Sequence, residues 1–150
     1  MQKVKLICVG SLKEKFWKEA VEEYKKRLSR FCNLEIVEVA ELSKLPIEQK
    51  IVQESESLFA QTKGKLLIFD RDGKDLSSED FAKLLKDWQN ESVISLVIGG
   101  SNGVSQKLKT SANALVCFGK ATFPHQLFRV MAVEQLYRAF SIVAGSPYHK

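Results

Sequence analysis

The chain lacks the features that mark several large classes of protein. No apolar run approaches the roughly 18 residues that a membrane-spanning helix needs, and the opening segment, MQKVKLICVG, is too short and too strand-like for a signal peptide. The three cysteines, Cys8, Cys32 and Cys117, have no paired spacing, so neither a disulfide framework nor a zinc site is predicted. We therefore expect a cytoplasmic protein without a bound metal, whose thiols are buried and reduced.

Repeats, low-complexity segments and linkers are also missing. The 150 residues, of which 45% are hydrophobic, match the size and composition of one ordinary globular domain. We therefore predict a single domain over residues 1–150.

The common nucleotide-binding motifs are absent as well. Neither the dinucleotide fingerprint G-x-G-x-x-G nor the Walker loop occurs, which disfavours a phosphate cradle. The stretch SLVIGGSNG does fit the G-x-S-x-G elbow of serine hydrolases, with Ser101 as nucleophile and Glu134 and His149 following in triad order. No HGGG-like segment supplies the second oxyanion donor, so a small serine hydrolase is kept only as the less favoured alternative.

Acidic residues are nearly missing from the last third of the chain. Residues 1–100 carry 17 basic and 17 acidic side chains, whereas residues 101–150 carry six basic ones and the single acid Glu134. The whole net charge of +5 therefore comes from the last fifty residues. A local excess of this kind attracts polyanions such as RNA, although six cations also suit an ordinary solvated surface.

What is present alternates regularly between short apolar runs and amphipathic segments. Such alternation predicts an α/β fold with a mainly parallel sheet covered by helices on both faces. Strands are predicted at VKLICVG, LEIVEV, KLLIFD, VISLVIGG and ALVCFG, with helices between them and a long last helix that Pro124 opens and Gly145 ends. The segment RDGKD predicts a turn around Asp72 and Gly73, and Ser77 and Asp80 predict a capping box before the third helix.

The carboxyl ends of three strands are candidates for one ligand pocket, because ligands bind there in open α/β sheets. These ends are Phe69-Asp70, Ile98-Gly99-Gly100 and Phe118-Gly119-Lys120. Glycine at 99, 100 and 103 permits close approach of the backbone to a flat ligand, but serves a tight turn equally well. A second polar cluster brackets the last helix, where both histidines of the chain, His125 and His149, lie.

Four ordered blocks make the sequence resemble a known family. SLVIGGSNGVS, ATFPHQLFRVMAVEQLYRAF, the terminal SPYHK and the opening GSLKEKFWKEAVEEYKKRL are similar to the signature blocks of the ribosomal RNA large-subunit pseudouridine N3-methyltransferase family. That family lies in the SPOUT, or α/β-knot, superfamily. The resemblance spans essentially the whole chain and implies S-adenosylmethionine as methyl donor, ribosomal RNA, free or within the ribosome, as substrate, a homodimer and a carboxyl-terminal trefoil knot.

The resemblance also implies which residues bind and react. It implies a cofactor site made largely by backbone groups of Phe69, Gly99, Phe118, Gly119, Lys120, Ala121, Thr122 and Phe123. It implicates Tyr148 and His149 in catalysis, where they would remove the proton of the target imide nitrogen or stabilise the resulting anion. We further expect Arg129, Arg138 and Lys150 to bind RNA phosphates or a uracil carbonyl oxygen. A non-catalytic RNA-binding protein of the same fold is the other open alternative.

Overall fold

The computed structural model describes all residues, Met1–Lys150, and contains five strands and five helices in strict alternation. The elements are β1 (Lys3–Val9), α1 (Lys15–Leu28), β2 (Asn33–Val39), α2 (Ile47–Ala60), β3 (Lys65–Asp75), α3 (Ser78–Asp87), β4 (Val93–Ile98), α4 (Gln106–Ser111), β5 (Ala114–Cys117) and α5 (His125–Val143).

The five strands form one sheet in the order β2-β1-β4-β3-β5, and all four pairings are parallel. Parallel neighbours require crossover connections, which the intervening helices supply. The predicted α/β architecture is confirmed. Because β4, β3 and β5 are adjacent, the three strand ends proposed as a pocket do meet at one edge of the sheet.

Helices cover both faces of the sheet, as predicted. Successive residues of a strand point to opposite faces, so the β1 residues Leu6 and Cys8 enter one core cluster while Ile7 and Val9 enter the other. The larger cluster lies under α1, α3 and α5, and the smaller lies under α2 and α4. All three cysteines are buried and free. The trefoil knot stays a prediction.

The turn predicted around Asp72 and Gly73 is wrong, because β3 continues through it to Asp75. Its ladder to β5 shifts register between Phe69 and Lys74, both of which pair with Val116, so the intervening residues bulge out of the strand. A Cβ on Gly73 would lie 2.5 Å from the backbone nitrogen of Val116. The glycine therefore serves a close approach within the sheet rather than a turn between elements.

The residues that the sequence predicts at helix ends are found there in the structure. The backbone N–H of Asp80 donates to Ser77 Oγ at the start of α3, and Pro46 and Pro124 are the N-caps of α2 and α5. Gly145, at φ +71°, follows the end of α5. In α1, however, the apolar side chain of Phe16 is 59% exposed. At 100° per residue, Phe16 lies on a different face of the helix from the buried residue Val21.

None of the helices is both long and apolar enough to cross a membrane.

Candidate functional site

The loop between β5 and α5, residues 118–123, makes few hydrogen bonds within the chain. Gly119 holds φ at +87°, and its N–H donates to Asp75 Oδ1 at 2.9 Å. Beyond it, the backbone N–H and C=O groups of Lys120, Ala121, Thr122 and Phe123 have no hydrogen-bond partner in the protein. A Cβ on Gly119 would meet nothing within 4 Å. The β5–α5 loop therefore presents a row of free donors and acceptors beside open space.

An aromatic cluster supports this loop from below. Phe118 lies 5.4 Å from both Phe69 and Phe81, and 6.1 Å from Phe128 of α5, between ring centroids. Phe69 is only 7% exposed, so its ring belongs to the core. Any contact of Phe69 with a ligand at this edge would therefore come from its backbone, and a leucine could replace the ring within the same apolar cluster.

The glycine turn, Gly99–Gly103, follows β4 at the same edge of the sheet. Gly103 N–H donates to Gly100 C=O at 3.0 Å, which closes the turn. A Cβ on Gly99 would lie 2.7 Å from Val104 Cγ1 and 3.2 Å from the carbonyl carbon of Gly103. Glycine at 99 is therefore required by the packing of the turn itself, whatever else the turn contacts.

The tail, Ser146–Lys150, folds back along α5. Tyr148 Oη donates to Glu134 Oε1 at 3.1 Å, and its ring packs edge-on against Tyr137 at 4.7 Å. The Arg138 guanidinium lies 4.8 Å from the centre of the Tyr148 ring. Burial raises the pKa of Tyr148 far above its ordinary value, and Tyr24 and the Glu134 carboxylate raise it further. In this arrangement Tyr148 is a neutral phenol.

His149 is held at both ring nitrogens. An arginine can only donate, so Nδ1 accepts from Arg138 at 3.1 Å, which leaves Nε2 to donate to Glu79 Oε1 at 2.7 Å. These partners assign a neutral ring with its proton on Nε2. The hydrogen bond from His149 lowers the pKa of Glu79, which therefore stays charged.

The tail and the β5–α5 loop are not in hydrogen-bond contact within one chain. The loop rests on β3 and on Phe128 in the first turn of α5, whereas the tail binds Glu134 and Arg138 further along. The six residues from Phe128 to Glu134 span about 9 Å of helix. The predicted catalytic and cofactor residues thus lie in the same half of the molecule without meeting.

Of the cations predicted to bind RNA, Arg129 has a different role. Its side chain is buried, pairs with Glu38 and donates to Gly10 C=O at 3.0 Å, so it fastens α5 to the ends of β1 and β2. This placement argues against a phosphate contact, because a guanidinium so engaged is not free to bind RNA. Arg138 is partly exposed but is paired with Glu134, and Lys150 is exposed.

The basic excess of residues 101–150 is in part neutralised by partners. Lys109 pairs with Asp70 and Asp72, in addition to the pairs that Arg129 and Arg138 form. Three exposed cations of this region have no acidic partner: Lys107, Lys120 and Lys150. The positive surface available to a polyanion is therefore smaller than the sequence count indicates.

The serine hydrolase alternative is wrong. Ser101 Oγ accepts from Lys50 Nζ at 3.1 Å and lies 3.4 Å from Asn102 Oδ1, with no histidine beside it. His149 is bound to Arg138 and Glu79 instead, and Glu134 binds Tyr148 and Arg138. The triad order in the sequence therefore does not correspond to a triad in space.

Sequence reasoning missed three acids that organise the site. Glu134 anchors the tail, Glu79 holds His149, and Asp75 fixes Gly119. Glu134 carried a signal, since it is the single acid among the last fifty residues. Asp75 and Glu79 carried none, because their partners are 44 and 70 residues away in the chain. No group of three or more potential metal ligands exists.

Comparisons with known proteins identify the family of the chain. The family model described as "Predicted SPOUT methyltransferase" matches residues 2–149. The chain is 46% identical to "Ribosomal RNA large subunit methyltransferase H" of Caldicellulosiruptor saccharolyticus, over 98% of this chain and 99% of that protein. It is 44% identical to the protein of the same name from Streptococcus uberis, over 99% of both.

Among solved structures, the chain is similar to the SpoU methyltransferase AviRb from Streptomyces viridochromogenes. The identity is 12% and the TM-score 0.47, over 97% of this chain and 61% of that one. The family match and the full-length relatives are the stronger findings, and by them the chain belongs to the SPOUT methyltransferase family.

Proposed function

We propose that the protein transfers a methyl group from S-adenosylmethionine to the N3 nitrogen of a pseudouridine in large-subunit ribosomal RNA. The proposal is supported by relatives that are named ribosomal RNA large subunit methyltransferase H and match over nearly their full length. Because its substrate is ribosomal RNA, we also expect the protein to work in the cytoplasm.

The observation that carries the proposal is the row of free backbone groups in the β5–α5 loop. A purine and a ribose are bound through several donors and acceptors, and the backbone of Lys120–Phe123 offers both kinds without internal partners. Gly119 leaves open space beside them. The remaining cofactor contacts are assigned to the backbone of Phe69, Gly99 and Phe118, at the adjoining strand ends.

When bound, S-adenosylmethionine supplies an electrophilic methyl group on a sulfonium. The chain's own task is to place the imide nitrogen in line and to accept its proton. We assign proton acceptance to Nδ1 of His149, which is unprotonated and becomes free once Arg138 releases it. Tyr148, kept neutral by its raised pKa, donates a hydrogen bond to the target nucleobase.

A second copy of the chain would complete the site. Apolar residues surround α5 on nearly all sides, and several remain partly exposed: Leu127, Val130, Met131, Ile142 and Val143. A helix that is apolar all round is normally covered, and a symmetric partner is the commonest cover. The tail of one copy would then serve the β5–α5 loop of the other, which accounts for their separation within one chain.

RNA binding is assigned to the unpaired cations Lys107, Lys120 and Lys150, with Arg138 joining them when it leaves Glu134. Lysine places a point charge near a phosphate, whereas arginine would add a planar bidentate contact. Binding through such contacts weakens as salt rises. A binding constant that stays flat across a salt titration would contradict this part of the proposal.

The test is methyl transfer in vitro, with S-adenosylmethionine labelled in its methyl group and large ribosomal subunits as acceptor. We expect label in one uridine-derived nucleotide, and mass spectrometry of ribosomal RNA from a deletion strain should show the same nucleotide lacking one methyl group. RNA binding without any binding of S-adenosylmethionine would instead favour the non-catalytic alternative.

A further inference from the structure

Helix α2 buries polar side chains where a surface helix normally buries apolar ones. Three of its four buried residues are Lys50, Glu54 and Ser55, which make up half of the six buried polar residues in the whole chain. Meanwhile Val52 and Phe59 of the same helix are 49% and 54% exposed. Hydrophobic burial alone does not explain how this helix is held against the sheet.

Lys50 reaches from α2 to the outer side of the glycine turn. Its ammonium donates to Ser101 Oγ at 3.1 Å and to Asn102 Oδ1 at 3.0 Å, while the carboxylate of Glu41 lies 3.9 Å away. Lys50 is only 6% exposed, although Ser101 and Asn102 are both at the surface. A buried ammonium is costly unless it is well partnered, and here both of its hydrogen-bond partners belong to the turn.

Glu54 and Ser55 fix the two sides of the same turn. Glu54 Oε2 accepts from Leu42 N–H at 2.9 Å, while Oε1 is buried without a partner and lies 2.8 Å from where a Cβ on Gly100 would be. Ser55 Oγ accepts from the N–H of Ser105 at 2.8 Å, just after the turn. The Glu54 carboxylate thus packs closely against Gly100, and Ser55 binds the backbone of Ser105 just beyond the turn.

We infer that Lys50, Glu54 and Ser55 are positioning residues that hold the glycine turn in the conformation required for cofactor binding. The inference rests on the proposed function, in which the backbone of Gly99 contacts S-adenosylmethionine. Within the turn, the Gly103 N–H to Gly100 C=O hydrogen bond and the close packing of Gly99 against Val104 restrict the backbone. The outer side depends on α2, so loss of Lys50 should weaken cofactor binding without affecting the tail or the RNA surface.

The experiment combines two variants in a thermodynamic cycle. Lys50→Met removes the ammonium from α2, whereas the double variant Ser101→Ala, Asn102→Ala removes its two acceptors, which lie at the surface, and leaves the ammonium facing the Glu41 carboxylate. For each variant and for the triple variant, we would measure the Kd and KM for S-adenosylmethionine, the KM for RNA, kcat at saturation and Tm. The control is Ser95→Ala, which removes a buried hydroxyl bound to the backbone of Lys63, away from the turn.

We expect each arm of the cycle to raise the Kd and KM for S-adenosylmethionine by about tenfold, a size typical of small misplacements of binding groups. The KM for RNA and kcat at saturation should stay within about twofold, and the triple variant should bind no more weakly than Lys50→Met, because both arms remove one interaction. Ser95→Ala should lower Tm and leave the Kd unchanged.

Two outcomes overturn the inference, and they differ. If the variants lower Tm while their Kd equals that of the wild type, α2 has only a structural role and the proposed function stands. If the wild-type protein itself fails to bind S-adenosylmethionine, the proposed function fails and the inference fails with it. Should Lys50→Met not fold, the double variant at Ser101 and Asn102 decides the question alone.

Discussion

The β5–α5 loop and the tail are both irregular segments flanking one helix, yet they differ in how their polar groups are used. In the loop, the backbone groups of Lys120–Phe123 have no partners, and the supporting structure lies beneath them in Phe69, Phe118 and Phe128. In the tail, the two side chains assigned to catalysis are engaged: Tyr148 with Glu134, and His149 with Arg138 and Glu79.

The difference indicates two stages in the assembly of the site. The loop is preorganised and open, so a ligand can enter it without displacing protein contacts, which lowers the cost of binding. The tail is held in a resting arrangement, and the groups that retain it must be exchanged for RNA or for a second copy of the chain. Cofactor binding should therefore precede and be independent of the tail.

Removal of the tail should produce the largest effect. Deleting Tyr148–Lys150 should lower methyl transfer by a factor on the order of 10² to 10⁴, the range for loss of general acid–base catalysis. The Kd for S-adenosylmethionine should stay within about twofold of the wild-type value. Single-turnover kinetics and calorimetry measure the two quantities, and full activity of the truncated protein would refute the role of the tail.

A Cβ placed in the open space beside the loop should have the next largest effect. Gly119→Ala should raise the Kd for S-adenosylmethionine about tenfold, because it places a methyl group in the open space beside the loop. Gly145→Ala is the matched control, since that glycine also has positive φ and nothing within 4 Å of a Cβ. Both variants should lose about 1 kcal/mol of stability, and only the first should lose affinity. Equal affinities of the two variants for S-adenosylmethionine would show that the cofactor binds elsewhere.

Neutralising the anchor of the tail should have a moderate effect. Glu134→Gln removes a negative charge beside Tyr148, so the pKa of Tyr148 should fall toward its ordinary value. In the wild type the raised pKa stabilises the folded state at and below pH 10, and this contribution is lost as the pH rises further. Ultraviolet titration of the phenol measures the pKa, and unfolding experiments above pH 10 measure the stability. An unchanged pKa in the variant would show that Glu134 does not act on Tyr148.

The smallest effect is expected at Ser101. Ser101→Ala removes one of the two acceptors of Lys50 and leaves Asn102 in place, so methyl transfer should fall by no more than about threefold. The assay is methyl transfer at limiting S-adenosylmethionine. Complete loss of methyl transfer would contradict the minor role given to Ser101.

The fold could be predicted from the sequence because its signals are local. Apolar runs such as that from Val93 to Ile98, and ends marked by Pro124 and Gly145, act through neighbouring residues, and each lies where it was predicted. The bulge at Gly73 could not be predicted, because the need for glycine there arises from Val116, which is distant in sequence.

The site was harder to predict, because its residues act through partners from other elements. A count of charges placed Arg129 on the RNA surface, but Glu38 and the carbonyl of Gly10 hold it inside. Lys50 and Glu54 carried no signal at all, since charged residues on an amphipathic helix are expected to face water. The resemblance indicated which segments matter, and only the three-dimensional contacts indicate what each side chain does there.

In the proposed site, the β5–α5 loop of one copy and the tail of another copy form one active site. A complementation experiment tests this arrangement. Two inactive proteins would be mixed and allowed to exchange subunits: one with a bulky Gly119→Trp loop, the other lacking Tyr148–Lys150. Mixed dimers contain one intact loop facing one intact tail, so activity should return to about a quarter of the wild-type level for random pairing. No recovery, with mixed dimers shown to form, would contradict the account.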